Sequence, residues 1–233
     1  MAPQTLQSLE RDVVACRRCP RLRDHCATVA RVRAARYRDE AYWGRPVPGF
    51  GDPLARLLVV GLAPGAHGAN RTGRLFTGDS SGDWLYQALN QFGFASQPTS
   101  TRRDDGLTLL DCWISAAGRC APPANKPTTA ELARCRPFLT AETILLPRVR
   151  VVVTLGRIAH EAYLRAIGWW DWLRPSERPA FGHGRVSELP DSPTIIASYH
   201  PSRQNTNTGR LTRPMWHRVF AQARILVDAQ PVA

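Results

Sequence analysis

The sequence is almost without lysine. Lys126 is the only one, so nearly all of its 31 basic side chains are arginine, and against 19 acidic ones they leave a net charge of +12. Such an excess points to a polyanionic partner, most often nucleic acid, although codon bias toward arginine explains the replacement of lysine equally well. Acidic residues are missing altogether from His200 to Val227, a stretch that holds Arg203, Arg210, Arg213, Arg218 and Arg224. Long apolar runs are missing too, so nothing spans a bilayer. The segment Met1 to Glu10 lacks the charged-then-apolar layout of a secretory signal. The expectation is a cytoplasmic protein. In that compartment six cysteines do not read as disulfides, and metal or cluster ligation is the better default. Neither a Walker pattern nor GxGxxG is present, which weighs against a nucleotide-dependent enzyme.

What is present is a set of short apolar runs ending in glycine or polar residues. Arg56–Gly61 (RLLVVG), a segment within Leu107–Ile114 (LTLLDCWI), Val149–Leu155 (VRVVVTL) and Thr194–Ser198 (TIIAS) read as buried parallel strands. Helical patterns lie between and around them. Residues 5 to 40 look mostly helical, Gly44 to Pro53 reads as loop, and helix resumes near Asp83. Thr128 and Glu131 have capping-box spacing for a helix running toward Leu146. A tryptophan- and proline-rich loop covers Trp169 to Pro179, and a last helix covers Arg213 to Val227. Four strands alternating with helices give an α/β fold, a parallel sheet covered on both faces. At 233 residues the chain fits one domain.

Sites in such sheets form in loops beyond the carboxyl ends of the strands, and three unusual segments fall there. GLAPGAHGANRTGRLFTGDSSG, Gly61 to Gly82, holds six glycines and few large apolar side chains. A loop of that length in a compact domain is commonly functional. HPSRQNTNTGRLT, His200 to Thr212, is dense in hydrogen-bonding side chains and fits a surface that binds a nucleic-acid backbone. RCAPPANKP, Arg119 to Pro127, is stiffened by three prolines and carries Asn125 and Lys126 at its tip.

Together these segments closely resemble the uracil-DNA glycosylase superfamily, and within it the family 5 branch of bacteria and archaea. The resemblance runs from Cys16 to the last helix and implies a three-layer α/β/α fold with a central four-stranded parallel sheet. It implies a single domain, residues 1–233, whose N-terminal segment of about residues 1–40 is tied in by a [4Fe–4S] cluster on Cys16, Cys19, Cys120 and Cys135. Zinc fits the same four thiolates. Cys26 is left without a role, and Cys112 reads as a core residue. The implied chemistry is removal of uracil from DNA by a monofunctional glycosylase in base excision repair, on duplex or single-stranded DNA, by a monomer associated with the nucleoid. His200 matches the histidine that stabilises the departing base; a satisfied core histidine is the plain alternative. Phe76 matches the aromatic residue on which the flipped base stacks, with Gly65 and Ala66 beside the base. Asp79, in the TGD segment, is the candidate to orient water or stabilise the sugar cation, or else simply to cap the following helix. Ser202, Arg203, Gln204, Asn205, Asn207 and Arg210 match the segment that enters the duplex and grips DNA. Lys126 and Arg71 are expected to join them or to be solvated surface charges.

Two departures from the wider superfamily bear on specificity and mechanism. The segment after the first strand is Gly61-Leu62-Ala63-Pro64-Gly65, without the acidic or amide side chain that other branches carry. Ala116 stands where uracil-specific branches use asparagine, which leaves Asn125 as the replacement catalytic contact. A site without that paired amide is expected to accept hypoxanthine and xanthine beside uracil. The competing readings are a strict uracil remover and a zinc-stabilised module that binds nucleic acid or the abasic product without catalysis. His67 and His183, in glycine-flanked loops, are expected to border the site.

Overall fold

The computed structural model of the protein describes residues 5–229; the expected domain of residues 1–233 runs past these at both ends. Among them lie α1 (Leu6–Ala15), α2 (Pro20–Val32), β1 (Phe50–Gly51), β2 (Leu57–Gly61), α3 (Ala69–Thr72), α4 (Ser80–Gln91), β3 (Cys112–Ala116), α5 (Thr129–Leu145), β4 (Val151–Leu155), α6 (Arg157–Ala166), α7 (Trp169–Trp172), β5 (Arg185–Ser187), β6 (Thr194–Ser198), α8 (Arg203–Asn207) and α9 (Arg213–Ala229). The sheet order is β1-β3-β2-β4-β6-β5. Its four central strands are parallel, as expected, and β1 and β5 add an antiparallel strand at each edge.

Successive side chains of a strand point to opposite faces, and here both faces are covered. Leu57 and Val59, with Val151, Val153 and Ile196, pack against Leu85 and Leu89 of α4 and Trp216 and Phe220 of α9. Leu58 and Val60, with Val152 and Ile195, pack against Leu139 of α5 and Tyr163 and Leu164 of α6. Every residue of the four central strands is buried. The three-layer fold expected from the sequence is therefore present, widened from four strands to six.

Local signals set the helix ends. The Thr128–Glu131 capping box opens α5, and Glu131 also takes two hydrogen bonds from Arg21 at 2.8 and 2.7 Å, which ties α2 to α5. That arginine pulls the Glu131 carboxyl down to about 2. The N-terminal segment is less continuous than its composition promises. Helix breaks at Cys16 to Cys19, stops at Val32, and gives way to a single 3-10 turn, Ala35–Tyr37. The second strand lies at Cys112–Ala116, later than most of the apolar run that announced it, because Leu110 and Asp111 precede the ladder. One helical turn, α3, sits inside the long glycine-rich loop, and another, α7, inside the tryptophan-rich one.

Candidate active site

The central strands end side by side at Gly61, Ala116, Leu155 and Ser198. The loops beyond them enclose a cavity of about 710 Å³. It is lined by Gly65, Ala66, Phe76, Asp79, Asn125 and His200, together with Ser202, Arg203 and Gln204. The three unusual sequence segments thus meet in one place, where β3 and β4 flank the first central strand on either side.

Asp79 caps a helix and also reaches the cavity. It is the N-cap of α4, with Oδ1 accepting the backbone N–H groups of Ser81 at 3.1 Å and Gly82 at 3.0 Å. Its second oxygen, Oδ2, is turned toward Gly65 and Gly68, and a Cβ added at Gly68 would overlap it. The glycines of GAHG therefore make room for a carboxylate, and Asp79 lines the cavity while capping a helix. Burial raises its pKa above the ordinary 3.8, against the two backbone hydrogen bonds that lower it.

Phe76 is held in a left-handed conformation (φ 54°). Its ring lies against Gly61 and its carbonyl against Gly82, and a side chain at either glycine would collide with it. The His200 ring stands 6.0 Å away, centroid to centroid, inclined by 29°. Burial lowers the His200 pKa to about 4, so its imidazole is neutral at pH 7. Asn205 fixes the His200 backbone by donating from Nδ2 to its carbonyl at 2.8 Å. Asn205 is half-exposed, and its amide also holds the loop together. Ser202 caps α8 and lines the cavity, Arg203 donates to Ser80 Oγ at 3.3 Å, and Arg210 is exposed with its guanidinium over Tyr199. Asn207 and Lys126 are exposed. Asn125 is exposed at the cavity rim, and both it and Ala124 have positive φ. Ala116 is buried in the sheet beside Gly61 and does not line the cavity.

Arg71 does not fit the expected phosphate contact. It is only 6% exposed, ion-paired to Glu40, donating to the carbonyls of His67 and Gly78, and stacked on Tyr37 at 3.9 Å. Its guanidinium is used inside the protein to pin residues 37–40 over the site. Arg36 and His67 also line the cavity. In the sequence His67 is marked only by its flanking glycines, and nothing in an arginine-rich segment singles out Arg36. His183 lies a layer back, stacked on Tyr199 and accepting its N–H at 3.2 Å.

The cysteines gather at the junction of the N-terminal segment and the sheet domain. Cys16 ends α1, Cys19 opens α2, Cys120 follows β3 and Cys135 lies on α5. Cys19, Cys26 and Cys120 pack together with Leu22 and Ala121. Burial raises the Cys135 thiol pKa, and the nearness of Cys19 and Cys16 raises it further. All six cysteines are free thiols. Among the described residues no three His, Cys, Asp or Glu side chains form a ready metal site. The gathered donor set is all sulfur, which fits a soft metal or an iron–sulfur cluster.

The sequence pattern of the uracil DNA glycosylase superfamily matches residues 48–224. The chain is 54% identical over 217 residues to the type-5 uracil-DNA glycosylase of Thermus thermophilus, covering 92% of this chain and 94% of that one. It is 46% identical over 223 residues to the type-5 enzyme of Mycobacterium leprae, covering 95% and 96%. It is also 46% identical over 200 residues to that of Pyrobaculum aerophilum, covering 86% and 84%.

Proposed function

Because the chain belongs to the uracil DNA glycosylase superfamily, alongside its type-5 members, we propose that it hydrolyses the N-glycosidic bond of uracil in DNA, leaving an abasic site for base excision repair. The observation that carries this reading is one cavity lined by Phe76, Asp79, Asn125 and His200. As the bond breaks, the sugar gains positive charge and the base leaves as an anion. Neutral His200 donates an N–H to an oxygen of the departing base, a preorganised hydrogen bond that strengthens as charge develops. Asp79 Oδ2 faces the sugar, where a carboxylate stabilises the cation and orients the attacking water. Water oxygen bonds to the sugar carbon, the bond to the base nitrogen breaks, and the water's proton ends on the base. Phe76 provides the stacking surface for the flipped base, with Gly65 and Ala66 leaving room for it, and Ser202, Arg203, Gln204, Asn207 and Arg210 engage the strand. Lys126, exposed beside Asn125, reaches the same strand as a point charge.

The same site is proposed to accept hypoxanthine and xanthine. With Ala116 buried and without an amide, the base edge is read by Asn125 from the cavity rim, and a single contact of that kind rejects other bases weakly. Duplexes carrying one uracil, hypoxanthine or xanthine, treated with alkali after incubation, test both statements. Uracil release is expected, with hypoxanthine release within about two orders of magnitude of it. A preference for uracil of many orders would confine the enzyme to uracil, and tight binding without release of any base would leave a binding protein on this fold.

Cys16, Cys19, Cys120 and Cys135 are proposed to hold a [4Fe–4S] cluster that fastens the N-terminal helices to the sheet domain. Bound there, the cluster supplies a cross-link and no reactive group, since none of the four cysteines lines the cavity. The protein as isolated is expected to be yellow-brown with about four irons per chain, and Cys135→Ser to lose the colour. A colourless protein containing zinc would replace the cluster with a zinc site.

A further inference from the structure

His67 and Arg36 line the cavity, yet base removal as described gives them no work. They reach it from separate parts of the chain, the glycine-rich loop and the 3-10 turn after α2. A chain of hydrogen bonds holds the Nδ1 side of His67. The Ala34 N–H donates to the Tyr42 hydroxyl oxygen at 3.3 Å. That hydroxyl in turn lies 3.1 Å from His67 Nδ1. The hydroxyl can donate to Nδ1 or accept from it, and a phosphate oxygen at Nε2 selects the neutral tautomer in which the hydroxyl donates and Nε2 carries the hydrogen. The ring is kept neutral by burial and by the charges of Arg36 and Arg71. Tyr42 does not line the cavity, so the edge His67 offers there is its Nε2 edge.

Arg36 is exposed, with its guanidinium over the Tyr37 ring at 4.5 Å. The turn that carries it is pinned by Arg71, which stacks on Tyr37 and pairs with Glu40. A second cavity of about 660 Å³ adjoins the first, shares Arg36, Asp79, Ser80 and Arg203 with it, and continues past Arg102. The Nε2 edge of His67 and the Arg36 guanidinium stand at the mouth of a groove that carries Arg71, Arg102 and Arg203 against Glu40, Asp79 and Asp83, and together they make a site for an anion at that mouth.

We propose that Arg36 and His67 grip the phosphodiester beside the extruded nucleotide, and that the strand leaves the active site along the groove past Arg102. This rests on the glycosylase reading. The N-terminal segment is then a part of the substrate site and not only an appendage: its turn holds one side of the scissile nucleotide while Ser202 and Arg203 hold another. A neutral histidine donor adds one directed hydrogen bond to a phosphate oxygen beside the charge-assisted ones that the arginine supplies.

The test uses duplexes containing one 2′-fluoro-deoxyuridine, which resists cleavage, with the phosphates around it replaced one at a time by neutral methylphosphonates. Wild type, Arg36→Gln, His67→Gln and the double variant are compared by binding, with Arg11→Gln on α1 as a control for general loss of charge. Arg36→Gln is expected to weaken binding about tenfold and to lower the salt slope by about one. At one phosphate the methylphosphonate should weaken wild type to a similar degree and add nothing to the double variant. Tyr42→Phe, which removes the partner of His67 Nδ1, should give a smaller loss at that same phosphate. If the losses add at every position, or if Arg36→Gln binds no worse than Arg11→Gln, the grip does not exist. Excision of ordinary uracil by wild type is measured alongside, so failure of the grip is distinct from failure of the glycosylase reading.

Discussion

Asp79→Asn is expected to lower uracil excision by about a hundredfold or more while leaving the protein at least as stable as before. The activity follows from the division of labour between the two carboxylate oxygens. Oδ1 is committed to the N–H groups of Ser81 and Gly82, whereas Oδ2 faces the cavity over Gly65 and Gly68. Asparagine keeps the capping acceptor, because it caps helices about as well as aspartate, but it loses the charge that the sugar cation needs. The stability follows from the raised pKa. A carboxyl whose pKa is higher in the folded protein is one whose ionised form folding disfavours. Above its ordinary pKa of 3.8 that charge lowers stability, and protonation or replacement by an amide relieves it. The same shift sets the acid limb of the pH–rate profile: the rate falls as pH drops through the raised pKa of Asp79. His200, lowered to about 4, remains neutral over most of this range. Single-turnover excision from about pH 4 to 9, a span that brackets both groups, checks the activity, and melting curves for both proteins check the stability. An Asp79→Asn variant that cuts at close to the wild-type rate would remove Asp79 from the chemistry and leave it as a helix cap.

The strands that build the platform were readable because each is a continuous apolar run buried on both faces, a pattern that polar loops do not imitate. The edge strands were not. Phe50–Gly51 is two residues inside a Pro/Gly loop, and Arg185–Ser187 is three half-exposed residues, so neither carries a periodicity to find. The site was legible where a loop's composition announces it, as in the glycine-rich segment around Asp79 and the polar one after His200. It was not legible where a role depends on a partner distant in sequence. Arg71 looks like any arginine in a loop; Glu40 and Tyr37, from another segment, turn it inward. His67 looks like any loop histidine until Tyr42 takes up its Nδ1 and leaves Nε2 for the cavity. At Asp79 capping a helix and lining the cavity do not compete, since one oxygen caps and the other is turned toward Gly65 and Gly68.

Glu142 is a still stronger case of a hidden partner, and Glu142→Ala is expected to cause the largest loss of stability, about 3–5 kcal/mol. In the sequence it is an ordinary acidic residue of a long helix. In the fold its side chain is 2% exposed and ion-paired to Arg119, itself 1% exposed, with the Ser115 hydroxyl donating to the same carboxylate. Arg119 reaches it twice, with Nη1 lying 3.2 Å from Oε1. Gly49 closes over the pair so tightly that a Cβ there would meet Glu142 Oε1. Truncating Glu142 leaves the guanidinium, itself 1% exposed, without its anion. For a chain of this size the loss corresponds to a drop in melting temperature on the order of 10 °C. The double variant Arg119→Met/Glu142→Met removes both charges and should lose less than Glu142→Ala alone, because the penalty lies in the orphaned charge and not in the absence of the attraction. Location makes the pair matter beyond stability. Arg119 immediately precedes Cys120, and its carbonyl accepts from Val47 at 2.7 Å. Glu142 lies two turns along α5 from Cys135. The ion pair therefore clamps the loop bearing one cysteine to the helix bearing another, and the same loop continues to Asn125 at the cavity rim. Thermal melting of the two single variants and the double decides the matter: single losses below about 1 kcal/mol are what a solvated surface pair would give, and would show that the clamp is open to water.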